Sequence, residues 1–287
     1  MNITLVYFSQ TGNTNKVTEA MADAFGQAGH TVKVITLKKA SPQNLTGADL
    51  FGIATPCFLS QPPTPVKKFL SDLPMLNGQR SFVVATSGGC PGRVLYDMTY
   101  LLRNRGASVA GGFLTRGEVH YPAKCIDGRF PGRPNDKDLA EAAQFATAIA
   151  EHISAGYPGT VTGSRKDAQK AGLGFYDIVG MTISDGMMRL LMPEPKLDLS
   201  QCNQCQRCAV ECPVDNITLQ PYPVLANQCI RCYHCYMICP QKAFKMNLGL
   251  ANLIVKSIYN VTFVRWFGDI KPGEEIYRSD ADKRVMR

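Results

Sequence analysis

The sequence predicts two folds in one chain: an α/β domain with a doubly wound parallel sheet over residues 1–156, then a small cysteine-built unit over residues 198–247. Three observations carry this reading. Short apolar segments alternate with amphipathic helical patterns through the first half. Turns rich in hydroxyls, amides and glycine follow several of those segments. Eight of the eleven cysteines fall in two blocks of identical spacing near the other end. With 287 residues and 45% hydrophobic content the chain can build a real core, and on length alone one large or two ordinary domains are equally plausible.

Five segments read as buried parallel strands: residues 3–8 (ITLVYF), 31–37 (TVKVITL), 49–54 (DLFGIA), 81–86 (SFVVAT) and 107–114 (ASVAGGFL). Their near-continuous apolar character suits strands covered on both faces. Between and after them, helical spacing places apolar residues on one face: Val17, Ala20, Met21, Ala24 and Phe25; then Val66, Phe69, Leu70 and Leu73; then Val94, Leu95, Met98, Leu101 and Leu102; and last Leu139, Ala142, Ala143, Ala146, Ile149, Ala150 and Ile153. Periodicity alone does not choose the strand order.

The turn after the first strand is Ser9-Gln10-Thr11-Gly12-Asn13-Thr14, where main-chain N–H groups and the following helix dipole favour an anion. It contains neither the lysine of a nucleoside-triphosphate loop nor the GxGxxG of a dinucleotide fold. Hydroxyls without a cation suit one phosphate monoester, which is what FMN presents.

On these residues the first half resembles the flavodoxins. Ser9, Thr11, Gly12 and Thr14 meet their [ST]-x-T-G-x-T phosphate-loop pattern. Two further loops match in position those that hold the flavin ring: ATPCFLSQPPTP, with Thr55, Pro56, Cys57 and Phe58, and ATSGGCPG, with Thr86, Ser87, Gly88, Gly89, Cys90 and Gly92. The resemblance implies a flavodoxin-like sheet of order 2-1-3-4-5, with FMN at the carboxyl ends of the strands. Phe58 takes the place of the aromatic that many relatives set beside the ring. Cys57, Cys90 and Cys125 lie in or after these loops, and small buried cysteines mostly pack rather than react.

In the second half C-x2-C-x2-C-x3-C-P occurs twice, as Cys202, Cys205, Cys208, Cys212 and Pro213, and as Cys229, Cys232, Cys235, Cys239 and Pro240. Without a secretory signal, such clustering points to metal rather than disulfides. Zinc held by CxxC pairs is the rival, but it gains nothing from the third CxxC step or the paired prolines. The spacing is that of bacterial-type ferredoxins, and this resemblance over residues 198–247 implies a small α+β domain with two 4Fe-4S clusters. Because the fourth cysteine of each run then serves the other cluster, one set is Cys202, Cys205, Cys208 and Cys239, the other Cys229, Cys232, Cys235 and Cys212. His234 reads as a surface residue beside the second block. As a whole the chain resembles the flavodoxin-ferredoxin fusion proteins of anaerobes, apart from its joins: 157–197, read as a linker or docking segment, and 248–287, read as a tail.

Composition excludes other classes. The formal charge of +8 counts every cysteine as neutral; two clusters would contribute about −4 and a flavin phosphate about −2, leaving roughly +2. No basic run interleaved with aromatics argues for nucleic acid. Residues 248–268 are interrupted by Asn252, Lys256, Asn260 and Arg265, so no membrane span is expected. Residues 1–15 read as strand and turn rather than signal peptide, so a cytoplasmic protein starting at Met1 is expected.

The cofactor set implies an oxidoreductase that takes single electrons from a ferredoxin-type donor, passes them through the clusters to FMN and reduces a small organic acceptor. The alternative is an electron-transfer module between protein partners. The long stretch 115–135 after the last strand holds the candidate catalytic residues, with Tyr121 or His120 as proton donor and Arg116 among cations for an anionic substrate, alongside Lys124, Arg129 and Arg133. A homodimer, with the tail and Trp266 at its interface, is a further expectation.

Overall fold

The computed structural model describes residues 1–45, 47–89, 91–122, 127–161, 165, 186, 189 and 192–259. Cys90, Lys124, Cys125, Trp266 and most of the expected linker and tail lie outside the described residues. The described chain forms two compact units: the first takes in Met1–Glu118 and the chain onward from Gly132 to 165, the second Val119–Pro131 and the chain over 192–259.

In the first unit β1 (Asn2–Tyr7), β2 (Thr31–Thr36), β3 (Leu50–Pro56), β4 (Arg80–Ser87) and β5 (Ser108–Arg116) form one sheet of order β2-β1-β3-β4-β5. Every pairing is parallel, as the apolar runs require. The fold is therefore the flavodoxin-like doubly wound sheet expected from the sequence. Helices α1 (Asn13–Gln27) and α4 (Asp136–Ser154) pack together on one face, and α2 (Thr64–Asp72) and α3 (Val94–Asn104) pack together as well.

Strand alternation decides which side chains meet which helices. Ile3, Leu5, Leu50, Phe82 and Val84 join Val17, Met21 and Phe25 of α1 and Ala142, Phe145 and Ile149 of α4 in one core. Phe82 sits between Phe25 and Phe145, each ring centre 6.0 Å away. Its ring also lies against Gly52, where an added Cβ would stand 2.4 Å from the Phe82 Cζ. Glycine in β3 thus makes room for the aromatic stack in the adjoining strand. Helix α4 starts on a capping box: the Asn135 side chain accepts from the Asp138 amide, and the Asp138 carboxylate accepts from the Asn135 amide.

The second unit is built from a repeat of 27 residues that the sequence shows in its cysteines and the backbone extends well beyond them. Each half runs strand, cysteine block, short helix, strand: β6 (Lys196–Leu197), α5 (Arg207–Val210) and β7 (Ile217–Leu219), then β8 (Pro223–Leu225), α6 (His234–Ile238) and β9 (Phe244–Lys245). A last helix, α7 (Gly249–Tyr259), follows. Pairing is between halves, β6 with β9 and β7 with β8, both antiparallel. The halves interlock, and β7 and β9, which directly follow the fourth cysteines, are each bound to the opposite half. No described helix is long and apolar enough to cross a membrane.

Candidate functional site

In the first unit the loops expected to hold a ligand all leave the carboxyl ends of β1, β3 and β4, and the structure ties them into one rim. Gly12 precedes α1 with φ +93°, a conformation open to glycine, and its amide donates to Ser9 Oγ at 3.2 Å. The Asn15 amide donates to the same oxygen at 3.4 Å. The first turn of α1 carries no acidic side chain, which leaves its positive end uncompensated for an anion. Thr14 is turned away from solvent: its hydroxyl bonds that of Thr86 at 2.9 Å, joining the first loop to the third.

The second loop, after β3, turns sharply through Leu59 (φ +47°) and Ser60 (φ +67°), with Phe58 and Gln61 exchanging backbone hydrogen bonds across the turn. Phe58 meets Phe8 edge-on at 6.4 Å. The Cys57 amide donates to the Thr86 carbonyl at 2.8 Å, and its thiol donates to the Pro91 carbonyl at 3.5 Å. Cys57 is therefore engaged in joining the two ring loops.

Contact between those loops is closest at Gly92. A Cβ there would stand 2.2 Å from the Ser60 Cβ, and the neighbouring Arg93 amide donates to the Ser60 carbonyl at 2.7 Å. The third loop is braced from β5 as well. Arg116 is buried and donates from Nη1 to the Gly89 carbonyl at 2.6 Å, and the Gly117 amide donates to the Ser87 carbonyl. Asp138 fixes the start of α4 beneath by accepting from Thr115 Oγ1 at 2.9 Å and pairing with Arg133. Arg116, expected to hold a substrate, is thus committed to shaping the rim. Arg133, expected among the cations for an anionic substrate, is paired with Asp138, a supporting group that the sequence pattern left unassigned.

His120 and Tyr121 belong to the second unit. Tyr121 packs edge-on against Tyr233, ring centres 5.2 Å apart, in a small core with Met192, Ala251, Met246 and Leu248. Burial, with the neighbouring Tyr233 adding to it, raises the Tyr121 phenol above its ordinary range and keeps it protonated. Tyr233 in turn donates to the Pro193 carbonyl at 2.8 Å. His120 is half-buried.

Around the cysteines the 27-residue repeat extends to the backbone conformation. Gln204 and Gln206 (φ +58° and +62°) correspond to Arg231 and Tyr233 (φ +55° and +57°), so each block twice enters the left-handed region without glycine. Such a residue costs about 1–2 kcal/mol. Alternation of this kind turns successive amides into one concavity, a form that receives anions and iron-sulfur groups. The fourth cysteines match too: the Asn216 amide donates to Cys212 Sγ at 3.2 Å and the Ala243 amide to Cys239 Sγ at 3.3 Å. Amides aimed at sulfur suit a thiolate ligand.

Sulfurs of the two blocks act within and across the halves. Burial pushes the Cys208 thiol up to about 11, the Ala209 amide opposing and Cys205 and Cys202 adding to the rise. Burial likewise pushes Cys232 up to about 12; the His234 amide opposes, and Cys229 and Cys212 add. Cys235 is raised by burial first, then by Cys232 and Cys229, with Cys208 of the first block adding to the rise. Cys212 thus acts on the second block and Cys208 on Cys235, and Cys208, Cys212, Cys235 and Cys239 share one small core. Among the described residues no group of three or more His, Cys, Asp or Glu side chains is arranged to hold a single metal ion. The two amides aimed at Cys212 and Cys239 and the left-handed residues suit a polynuclear group shared between the blocks. His234 is not simply solvated: its Nε2 lies 3.2 Å from Glu211, which also pairs with Arg207.

Comparison with known proteins bears on the first unit. The flavodoxin family model matches residues 5–102, so this domain is flavodoxin-like, and the match supports FMN as the ligand of the rim. Similar solved structures include a flavodoxin from the domain Archaea (22% identity, TM-score 0.45, 54% of this chain and 99% of that one). The flavodoxin of Streptococcus pneumonia TIGR4 gives 21%, 0.42, 53% and 99% in the same terms. The rubredoxin oxygen:oxidoreductase of the anaerobe Desulfovibrio gigas gives 18% and 0.44, covering 54% of this chain and 36% of that one. No curated protein matches.

Proposed function

We propose that the chain is an iron-sulfur flavoprotein, the flavodoxin-ferredoxin fusion its motifs resemble, that takes single electrons from a ferredoxin-type donor and reduces a small organic acceptor. Its domains are then 1–156 for FMN and 198–247 for two 4Fe-4S clusters. When bound, the clusters supply one-electron transfer, and FMN converts single electrons into a two-electron delivery.

The observation that carries the reading is the backbone repeat around the cysteines, standing in one chain with a flavodoxin-like rim. Cys202, Cys205, Cys208 and Cys239 would hold one cluster, and Cys229, Cys232, Cys235 and Cys212 the other. The amides of Asn216 and Ala243 stabilise thiolate at the two crossing ligands. Ser9 through Thr14 receive the phosphate, while Thr55 to Phe58 and Thr86 to Gly92 flank the ring, held apart by the Gly92–Ser60 contact and braced by Arg116.

A second reading, a relay between redox proteins with no small-molecule substrate, is favoured by one observation. Arg116 is committed to Gly89 and Tyr121 to Tyr233, so of the three expected catalytic residues His120 alone is left to move a proton. Anaerobic purification followed by iron, sulfide and flavin analysis tests the cofactor set: two clusters and one FMN per chain are expected, and zinc or a colourless protein refutes it. Turnover of the chemically reduced protein with a panel of enones and quinones separates the readings. Reoxidation by redox proteins alone removes the small acceptor.

A further inference from the structure

The repeat is strict in the backbone but broken in side chains at one place that bears on chemistry. Positions 204 and 231 correspond, both left-handed and both between the first and second cysteine of a block. One is an exposed glutamine; the other is a half-buried arginine. Arg231 lies two residues from Cys229 and directly before Cys232, and its charge and that of Cys229 act on one another. Its guanidinium is held there by two anchors: Nε donates to the Met192 carbonyl at 3.2 Å, and Nη1 meets Glu194 Oε1 at 2.6 Å. The Arg231 side chain retains only 12% of its exposure, against 42% for Glu194.

A guanidinium fixed in this way is a full positive charge placed beside the second block in a partly dehydrated setting, where charge interactions are less screened than in water. Among the described residues the first block has no half-buried cation at the corresponding position: Gln204 is exposed, and Arg207, also exposed, pairs with Glu211. Burial and local charge act on the second block in opposite senses. Loss of solvent resists an added electron, and the cation favours it.

We propose that Arg231 sets the reduction potential of the site formed with Cys229, and that the Arg231/Gln204 difference makes the two otherwise repeated sites unequal. The proposal rests on the cluster assignment above. Arg231 acts through its charge, held beside the second block by Met192 and Glu194, and Glu194 moderates it by neutralising part of the same charge. A one-electron reduction adds one negative charge to the site, so removing the cation shifts that equilibrium toward the oxidised form, and removing Glu194 shifts it back.

The test is an anaerobic titration of the intact, cofactor-loaded chain with dithionite, read by electron paramagnetic resonance, after iron and sulfide have been measured. Two midpoints are expected for the wild type. Arg231→Gln lowers one of them by a factor of about ten in the reduction equilibrium, or ~59 mV for one electron, and leaves the other in place. Arg231→Lys, which keeps the charge and loses the fork, falls between. Glu194→Gln raises the same midpoint, and Gln204→Arg raises the other; both alter solvent-accessible positions and spare the fold. A fully loaded Arg231→Gln chain whose midpoints do not move, or move together, overturns the proposal. A wild-type chain without iron and sulfide overturns instead the cluster assignment beneath it.

Discussion

Replacing Gly92 by alanine tests whether the two ring loops form one site. The new Cβ would meet the Ser60 Cβ at 2.2 Å, its carbonyl oxygen at 2.8 Å and its Cα at 2.9 Å. Carbon atoms rest at about 3.5–4.0 Å, so the loops must part by more than ~1 Å. Ser60 cannot yield by rotating a side chain, because two of the three atoms are backbone and its carbonyl accepts from the Arg93 amide at 2.7 Å. Alanine at φ +48° adds backbone strain of about 1–2 kcal/mol, and the overpacking about 1–3 kcal/mol more. The strain lowers stability with or without ligand, so only the parting of the loops, about 1–3 kcal/mol, reaches a ligand gripped between them, roughly fivefold or more in Kd. The assay is titration of flavin-depleted protein with FMN, followed by flavin fluorescence, with circular dichroism as a check on the fold. Gly29→Ala is the control, because φ there is +79° but nothing lies within 4 Å, so it brings strain without a clash and lies away from the rim. Equal FMN affinity in wild type and Gly92→Ala would refute the joined-loop site.

Four further outcomes are expected. Thr14→Val leaves the buried Thr86 hydroxyl without its 2.9 Å partner and should lower the urea midpoint by the equivalent of about 1–3 kcal/mol, while Thr14→Ser stays near wild type. Gly52→Ala should destabilise by about 1–3 kcal/mol and be rescued in part by Phe82→Leu, a coupling that a double-mutant cycle in urea would detect and that additive losses would disprove. In a chain whose Cys202, Cys205 and Cys208 are all serine, adding Cys212→Ser should abolish the remaining paramagnetic signal, whereas adding Cys239→Ser should not; the opposite result would reassign the crossing ligands. In the iron-free chain the folded thiols of Cys208 and Cys232 titrate at about 11 and 12, above the ordinary value of 9.0. The unfolded chain then loses protons first, so stability is complete below about pH 9 and falls as pH rises through that window; a lower urea midpoint at pH 10 than at pH 8 checks the sign.

Four strands were readable because burial on both faces leaves a near-continuous apolar run; β2, expected to be buried alike, is an edge strand with no buried residue, and its Thr and Val rather than its burial marked it. The segment expected at 49–54 is Leu50–Pro56, and that expected at 107–114 is Ser108–Arg116, differences confined to ends where pairing rather than composition sets the limit. Hydroxyls and glycines marked the rim correctly as loops at strand ends, yet they did not reveal which groups bind one another. Thr14 reads only as part of the phosphate loop in the motif, and its hydroxyl also ties that loop to Thr86, a contact 72 residues away that no local pattern shows. Tyr121 is the clearest case. Following β5 in sequence, it reads as a rim residue, but a large aromatic goes where it can be buried, and Tyr233 provides that place. The left-handed Gln204, Gln206 and Arg231 carry no glycine to announce them, so only the cysteine spacing hinted at the backbone between.

The second unit draws on two separated stretches of chain, which has a consequence for its birth on the ribosome. Val119–Pro131 emerges more than a hundred residues before Tyr233. At ~5–20 residues per second, that is an interval on the order of ten seconds. During it the nascent Tyr121 ring has no mate, and a cell making this protein has to shelter an apolar hook until translation delivers the pocket that receives it.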